Sequence, residues 1–177
     1  MRIVRIIVGY MLAATLFVLA IPAAVIALGR ATDAVAGWRL ETLWPINIVV
    51  AGVLGAFGLF WVAWSWWFLL TRGRGHPAEG FGIEFHPVTR QIVTNGPYAR
   101  TRNPMMLGYL FVMLAIAAFY GSIGMVVAVV VIAAIGWVNI VFFEERRLEQ
   151  RFGQAYAQYK QGVPRFWPGR RRDIGRG

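Results

Sequence analysis

Residues 103–147 read NPMMLGYLFVMLAIAAFYGSIGMVVAVVVIAAIGWVNIVFFEERR, and the 41 positions between Arg102 and Glu144 carry no charged side chain. A helix that crosses the hydrocarbon core of a bilayer needs roughly 20 apolar residues. The run therefore holds two, with a break at Tyr120-Gly121-Ser122-Ile123-Gly124. This is a membrane-embedded helical hairpin with both ends on one side. Working outward, the 30 uncharged residues between Glu41 and Arg72 and the 24 between Arg5 and Arg30 each supply one more span. The predicted fold is all-α and polytopic, with four transmembrane helices near 4–28, 44–70, 104–120 and 124–144, the third being the shortest. The first stretch does not read as a secretory signal, because its uncharged core exceeds the roughly 7–15 residues of an h-region. Pro22 and the glycines inside spans are tolerated in membrane helices.

Composition supports this reading. Of 177 residues, 58% are apolar and only 15% charged, against about 25% charged in an average soluble domain. A soluble chain of this size cannot hide so much apolar surface. The absence of cysteine removes disulfides, thiolate ligands and a thiol nucleophile, and His76 and His86 alone do not make a metal site, so no metal is expected. The net charge of +10 points to a membrane surface, since no nucleic-acid-binding module is visible and no nucleic acid is expected as partner. Transport is disfavoured because there is no internal repeat and almost no ionisable residue at mid-membrane depth.

Sorting charges by side gives an orientation. The N-terminus, loop 71–103 and the tail from 144 carry 2, 5 and 9 basic residues against 0, 2 and 4 acidic ones. On the other side Arg30 and Arg39 are cancelled by Asp33 and Glu41. The positive-inside rule then places both termini in the cytoplasm. The expectation is one domain over 1–177, with a cytoplasmic loop 71–103 and a cytoplasmic tail 145–177. Water-soluble chemistry belongs on that face, because the opposite one has almost nothing polar to build with.

Asn95-Gly96-Pro97 marks a turn on that face. Asn103 is a good N-cap and Pro104 suits the first helical position, so the third helix starts there. Its free N–H groups lie close to Arg100 and Arg102 and attract a carboxylate or phosphate. The competing reading is that these residues merely begin a helix and the arginines sit at lipid headgroups. The fourth span leaves the bilayer at Glu144-Glu145-Arg146-Arg147. An unpaired carboxylate at a hydrocarbon boundary is costly, so Arg102, the helix N-terminus or a cationic ligand is expected to partner one of them. Glu145, Leu148, Phe152, Tyr156 and Tyr159 then recur at intervals of three or four, which predicts a continuous amphipathic C-terminal helix along the bilayer surface. Gly162 and Pro164 end it.

Val93-Thr94-Asn95-Gly96-Pro97-Tyr98, Arg102-Asn103-Pro104-Met105 and Gly108 resemble the core of the integral-membrane methyltransferases. That family includes isoprenylcysteine carboxyl methyltransferases and phospholipid N-methyltransferases. Glu144-Glu145-Arg146-Arg147-Leu148, Phe152-Gly153, Tyr156, Tyr159, Val163-Pro164-Arg165 and Pro168 resemble its C-terminal signature. The resemblance spans about residues 86–168 and implies S-adenosylmethionine as cofactor, bound between the last helices and the cytoplasmic segments. The family's cofactor motif ordinarily reads Arg-His-Pro with a tyrosine two residues after the proline. Here Asn103 stands at the histidine position, a variant associated with bacterial members, which implies a bacterial inner (plasma) membrane. Met106 stands at the tyrosine position, a departure that Tyr98 or Tyr109 could offset.

The resemblance implies cofactor contacts from Tyr98, Arg102, Asn103, Pro104, Glu144 and Glu145. Glu144 or Glu145 would pair with the cofactor's ammonium, and Arg102 with the N–H groups at Asn103 and Pro104 would hold its carboxylate. Arg102, Glu145 and Arg165 would be catalytic, and Tyr156, Tyr159 and Arg165 would meet the acceptor, a lipid or a prenylated or other hydrophobic small molecule. A carboxylate acceptor needs no base, whereas an amine must be neutral and a glutamate or tyrosine would take its proton. The alternatives are a membrane NADPH-dependent reductase of a sterol-like lipid, for which no dinucleotide loop is visible, and a non-enzymatic membrane scaffold.

Overall fold

The computed structural model describes residues 2–38, 44–73, 79–80, 83–84 and 92–169. His76, His86, Arg39, Glu41, residues 74–78, 81–82 and 85–91 of loop 71–103, and the basic run 170–172 lie outside the described residues. Helix α1 (Arg2–Ala14) passes through a π-helical segment, Thr15–Ala20, directly into α2 (Ile21–Ala36). The first helix therefore runs well past the predicted end at 28. Arg30 and Asp33 do not stop it, because a charge at a membrane boundary leaves the N–H ladder intact. It stops at Gly37, whose φ of 68° is a left-handed C-cap that glycine adopts without strain. Helix α3 covers Trp44–Arg72, α4 Pro104–Tyr120 and α5 Ile123–Asn139. A second π-helical segment, Ile140–Glu144, joins α5 to α6 (Glu145–Phe152), and α7 covers Gln154–Gly162. Within the loop, β1 (Glu79–Gly80) and β2 (Ile83–Glu84) form a two-residue antiparallel ladder, a small departure from the all-α expectation.

Among the described residues, three helices are long and apolar enough to cross a membrane: Ile7–Ala36, Trp44–Arg72 and Ile123–Phe152. The protein is an integral membrane protein. Helix α4, predicted as the third of four spans, has 17 residues. At 1.5 Å per residue it is about 26 Å long, short of a hydrocarbon core of roughly 30 Å.

Helix α4 sits between α3 and α5. Its contact with α3 is backbone to backbone: a Cβ added to Gly58 would lie 2.6 Å from the Gly108 carbonyl, and one added to Gly108 would lie 2.6 Å from the Gly58 carbonyl. Small residues at such crossings let dispersion and close approach hold helices together where lipid removes the hydrophobic drive. Helix α2 closes on α5 where Gly29 meets Gly124 and Met125. Val25, Met113, Ala117, Met125 and Val129 form the buried core of that junction. Asp33 then ties its far end: Oδ2 accepts from the Ser122 hydroxyl and Oδ1 from the Gly124 N–H at 2.7 Å. Ser122 in turn caps α5 by accepting from Met125 N–H at 2.9 Å. The outer faces of α3 and α5 stay apolar and exposed, Trp67 and Trp137 among them, while Trp61 is buried between helices.

The predicted continuous amphipathic helix after Glu145 is two short helices. Gly153, with φ 53° and ψ −130°, breaks it between Phe152 and Gln154. The break folds α7 back, so that Tyr156, Tyr159 and Val163 bury against Ile92, Leu148 and Phe152. The apolar stripe covers a loop, which is where its amphipathicity is spent.

Candidate active site at the polar end of the hairpin

The site is built where α4 starts, where α5 gives way to α6, and where the chain beyond α7 crosses both. The π-helical segment ends in a bond from the Glu145 N–H to the Ile140 carbonyl, five residues back. That wide turn puts Glu145 on the same inward side as Ile140, and the two are 3% and 4% exposed. A carboxylate so deep demands compensation. It receives it from three cations. Arg102 Nη1 donates to Oε1 at 2.6 Å. Arg165 spans both oxygens, Nε to Oε1 at 2.9 Å and Nη2 to Oε2 at 3.1 Å. Lys160 Nζ stands 3.7 Å from Oε2 and 2.7 Å from Glu149.

The backbone beneath these side chains is fixed by a strap of hydrogen bonds. Arg102 N–H donates to the Pro164 carbonyl at 2.9 Å, and Gly169 N–H to the Arg100 carbonyl at 2.9 Å. The Arg165 carbonyl accepts from Thr101 Oγ1 and from Asn103 Nδ2, each at 3.0 Å. Asn103 thus occupies the N-cap position ahead of Pro104, as predicted, but its side chain makes no cap bond. Its Nδ2 donates sideways to the Arg165 carbonyl, which turns the side chain toward the tail. The first turn of α4 is left without a side-chain cap. Close by, Arg102 Nε is buried and finds no acceptor among the described residues.

Two phenols complete the wall. Burial pushes the Tyr98 hydroxyl above its ordinary range, and the charges of Tyr159 and Glu144 push it further. Tyr156 is raised first by burial and then by Glu145, with the Arg102 guanidinium opposing through its charge and a hydrogen bond. Both therefore stay protonated. Tyr159 donates its hydroxyl to the Tyr98 carbonyl at 2.7 Å, which locks α7 to the 96–99 turn. That turn rests on α3, where a Cβ on Gly96 (φ 61°) would strike the Phe68 ring. The Arg165 guanidinium is raised in turn, chiefly by its hydrogen bonds to Glu145.

Of the residues singled out in the sequence, the structure brings Arg102, Glu145, Arg165 and Tyr156 into one cluster. Tyr98, Asn103, Pro104, Glu144 and Tyr159 stand around it. Tyr159 and Asn103 are committed to bonds that hold the chain. Met106 points elsewhere, across to α5, where its methyl lies against Gly136. Sequence reasoning missed Lys160 and Thr101. Lys160 meets Glu145 and Glu149 only because Gly153 folds α7 back, and nothing in its spacing signals that. Thr101, fully buried, is an uncharged residue between two arginines and gives no sign of its bond to the tail.

The family model for phospholipid methyltransferases matches residues 46–155, from the start of α3 to the start of α7. The chain belongs to the phospholipid methyltransferase family. The match takes in Tyr98, Arg102, Asn103, Pro104, Glu144 and Glu145. It stops short of Tyr156, Tyr159, Lys160 and Arg165 and leaves α1 and α2 outside. Comparison with curated proteins and with solved structures returns no match. A methyltransferase family and an apolar helical bundle together place this phospholipid methyltransferase-like protein among membrane methyltransferases.

Proposed function

We propose that the protein is an S-adenosylmethionine-dependent methyltransferase that acts at this polar end on a carboxylate or amine of an amphiphilic, lipid-like acceptor. The observation that carries the proposal is Glu145: a 3%-exposed carboxylate at the membrane boundary, ringed by Arg102, Arg165 and Lys160. The residues present fit the zwitterionic end of the cofactor. Glu144 or Glu145 would take its ammonium. The uncapped start of α4 and the acceptor-less Arg102 Nε would take its carboxylate. When bound, the cofactor's sulfonium supplies an electrophilic methyl group.

The chain's own groups decide the rest. Arg102 and Arg165 are placed to orient an acceptor carboxylate, which is already ionised and needs no base. For an amine acceptor the phenols of Tyr98 and Tyr156 are poor bases, because burial keeps their protons on. The proton would then pass to Glu144 or to water. The whole chain would work as one domain. The concentration of basic residues at this end supports a cytoplasmic placement of both termini, and the bacterial inner membrane rests on Asn103 standing at the family's histidine position.

Calorimetric titration of the detergent-purified protein with S-adenosylmethionine and S-adenosylhomocysteine tests this, with NADPH alongside. Saturable binding of the first pair is expected, weakened at least tenfold in Glu144→Gln or Glu145→Gln, whichever holds the ammonium. Binding of NADPH alone would transfer the protein to the reductases.

A further inference from the structure

Glu145 is fully engaged by residues of its own chain, and of the two carboxylates proposed for the cofactor's ammonium it is the one for which the ammonium would have to compete. The three cations around it are not equally replaceable. Arg102 is 9% exposed, so losing Glu145 would strand a buried charge. Lys160 stands 3.7 Å away and has Glu149 closer, at 2.7 Å. Arg165, at 30% exposed, is the more accessible of the two arginines that bond Glu145. Its backbone cannot leave, since its carbonyl is held by Thr101 and Asn103 and its neighbour Pro164 by Arg102 N–H. The side chain is thus a part-exposed guanidinium on an anchored backbone.

We infer that Arg165 is a built-in cation that occupies Glu145 in the empty protein, is exchanged there for the ammonium of the incoming cofactor, and once released anchors an anionic group of the methyl acceptor. The inference rests on the proposed methyltransferase reading. Its chemistry is an exchange of one cation for another. The guanidinium fork bridges Oε1 and Oε2, and an ammonium with three donors can satisfy the same two oxygens, so Glu145 stays compensated throughout. What changes is Arg165, which loses its carboxylate and becomes a free, always-charged donor beside Arg102. An acceptor carrying a phosphodiester or carboxylate next to the methylated atom restores the balance. The order of binding follows: cofactor first, acceptor second.

The test is the affinity of the full-length, detergent-purified protein for S-adenosylhomocysteine. If Arg165 competes for Glu145, removing it removes the competitor. Arg165→Gln is then expected to bind about 3- to 30-fold more tightly than the unaltered protein, while methyl transfer is lost. Arg165→Lys, which keeps the charge but not the fork, should tighten binding by less. A second readout covers a variant that fails to fold: in the unaltered protein, phenylglyoxal modification of Arg165, followed by mass spectrometry, should rise on saturation with S-adenosylhomocysteine. Weaker or unchanged affinity in both variants, with no rise in modification, overturns the exchange but leaves the methyltransferase reading standing. If neither the unaltered protein nor the variants bind the compound, both fall together.

Discussion

Replacing Glu145 with glutamine isolates the charge that organises the site while keeping its volume. In the native protein one buried carboxylate answers Arg102 at 9% exposure, Arg165 at 30% and Lys160 at 37%. The cost of the substitution should fall unevenly on the three. Lys160 keeps Glu149 at 2.7 Å and Arg165 can turn into water, so each contributes at most the ~0–1 kcal/mol of an exposed pair. Arg102 cannot leave, and breaking a buried pair by removing one partner costs about 3–5 kcal/mol. The glutamine carbonyl still accepts one bond, which favours the lower end, about 3 kcal/mol. For a chain of this size that is a fall of about 6–12 °C in unfolding midpoint. The assay is thermal unfolding in one detergent at one scan rate, with Arg165→Gln and Lys160→Gln in parallel, each expected to lie within about 4 °C of the unaltered protein. Adding Arg102→Met to Glu145→Gln should restore much of the loss, because it removes the stranded charge. If Glu145→Gln were no less stable than the Arg165 and Lys160 variants, the buried Arg102 would not depend on Glu145 for its compensation.

The fold and the phenols offer further tests. Gly58→Ala should destabilise by about 1–3 kcal/mol, since the new Cβ would meet the Gly108 carbonyl at 2.6 Å and Val112 N at 2.8 Å, and backbone cannot give way as a side chain can. Gly52→Ala on the same helix meets open space and should be neutral in the same unfolding assay. Asp33→Ala removes the bonds to Ser122 and Gly124 and should cost about 0.5–2 kcal/mol, like other lost caps. Its calorimetric affinity for S-adenosylhomocysteine should not change, because Asp33 lies at the opposite end of the bundle. The Tyr98 and Tyr156 hydroxyls sit above their ordinary value of 10 in the folded protein, so the unfolded chain loses these protons first. Their contribution to stability is complete below pH 10 and is lost as pH rises beyond it. Ultraviolet difference titration should show a lag in phenolate formation that Tyr98→Phe and Tyr156→Phe each shorten.

What could be read from the sequence depended on the kind of signal. The hairpin was legible because 41 uncharged residues have few alternatives, and α4 begins at Pro104 and ends at Tyr120 as predicted. The pairing of Arg102 with a carboxylate at the helix exit was legible too, from the cost of burying Glu144 and Glu145 without partners. The end of α2 was not, since Arg30 and Asp33 look like a boundary in a charge map and are ordinary helical positions in the chain. The tail was misread for a related reason. Glu145, Leu148, Phe152, Tyr156 and Tyr159 keep a helical rhythm across Gly153, and periodicity does not register a single residue with positive φ. Lys160 was lost with that break. The π-helical segments left no mark in the sequence at all.

The second of those segments explains how one helix serves two solvents. Along a regular α-helix, positions five apart are separated by roughly 140° around the axis, so a helix burying Ile140 against its neighbours would turn Glu145 well away from them. The wide turn at Ile140–Glu144 takes up that rotation, and both residues end up buried on one side. The apolar seam of α5 therefore runs straight into the polar cluster without the helix ending. On the facing helix the change is made differently: α4 simply starts there, at a proline that gives up its N–H, leaving first-turn donors and Arg102 at the same level. Chain from the tail then crosses both, held by its backbone to residues 100–103 and by Arg165 to Glu145. Each of the three pieces brings one charge sign that it cannot bury alone. Their assembly makes a polar site at the edge of an apolar bundle, open to water through the exposed side of Arg165 and flanked by helices whose outer faces are apolar.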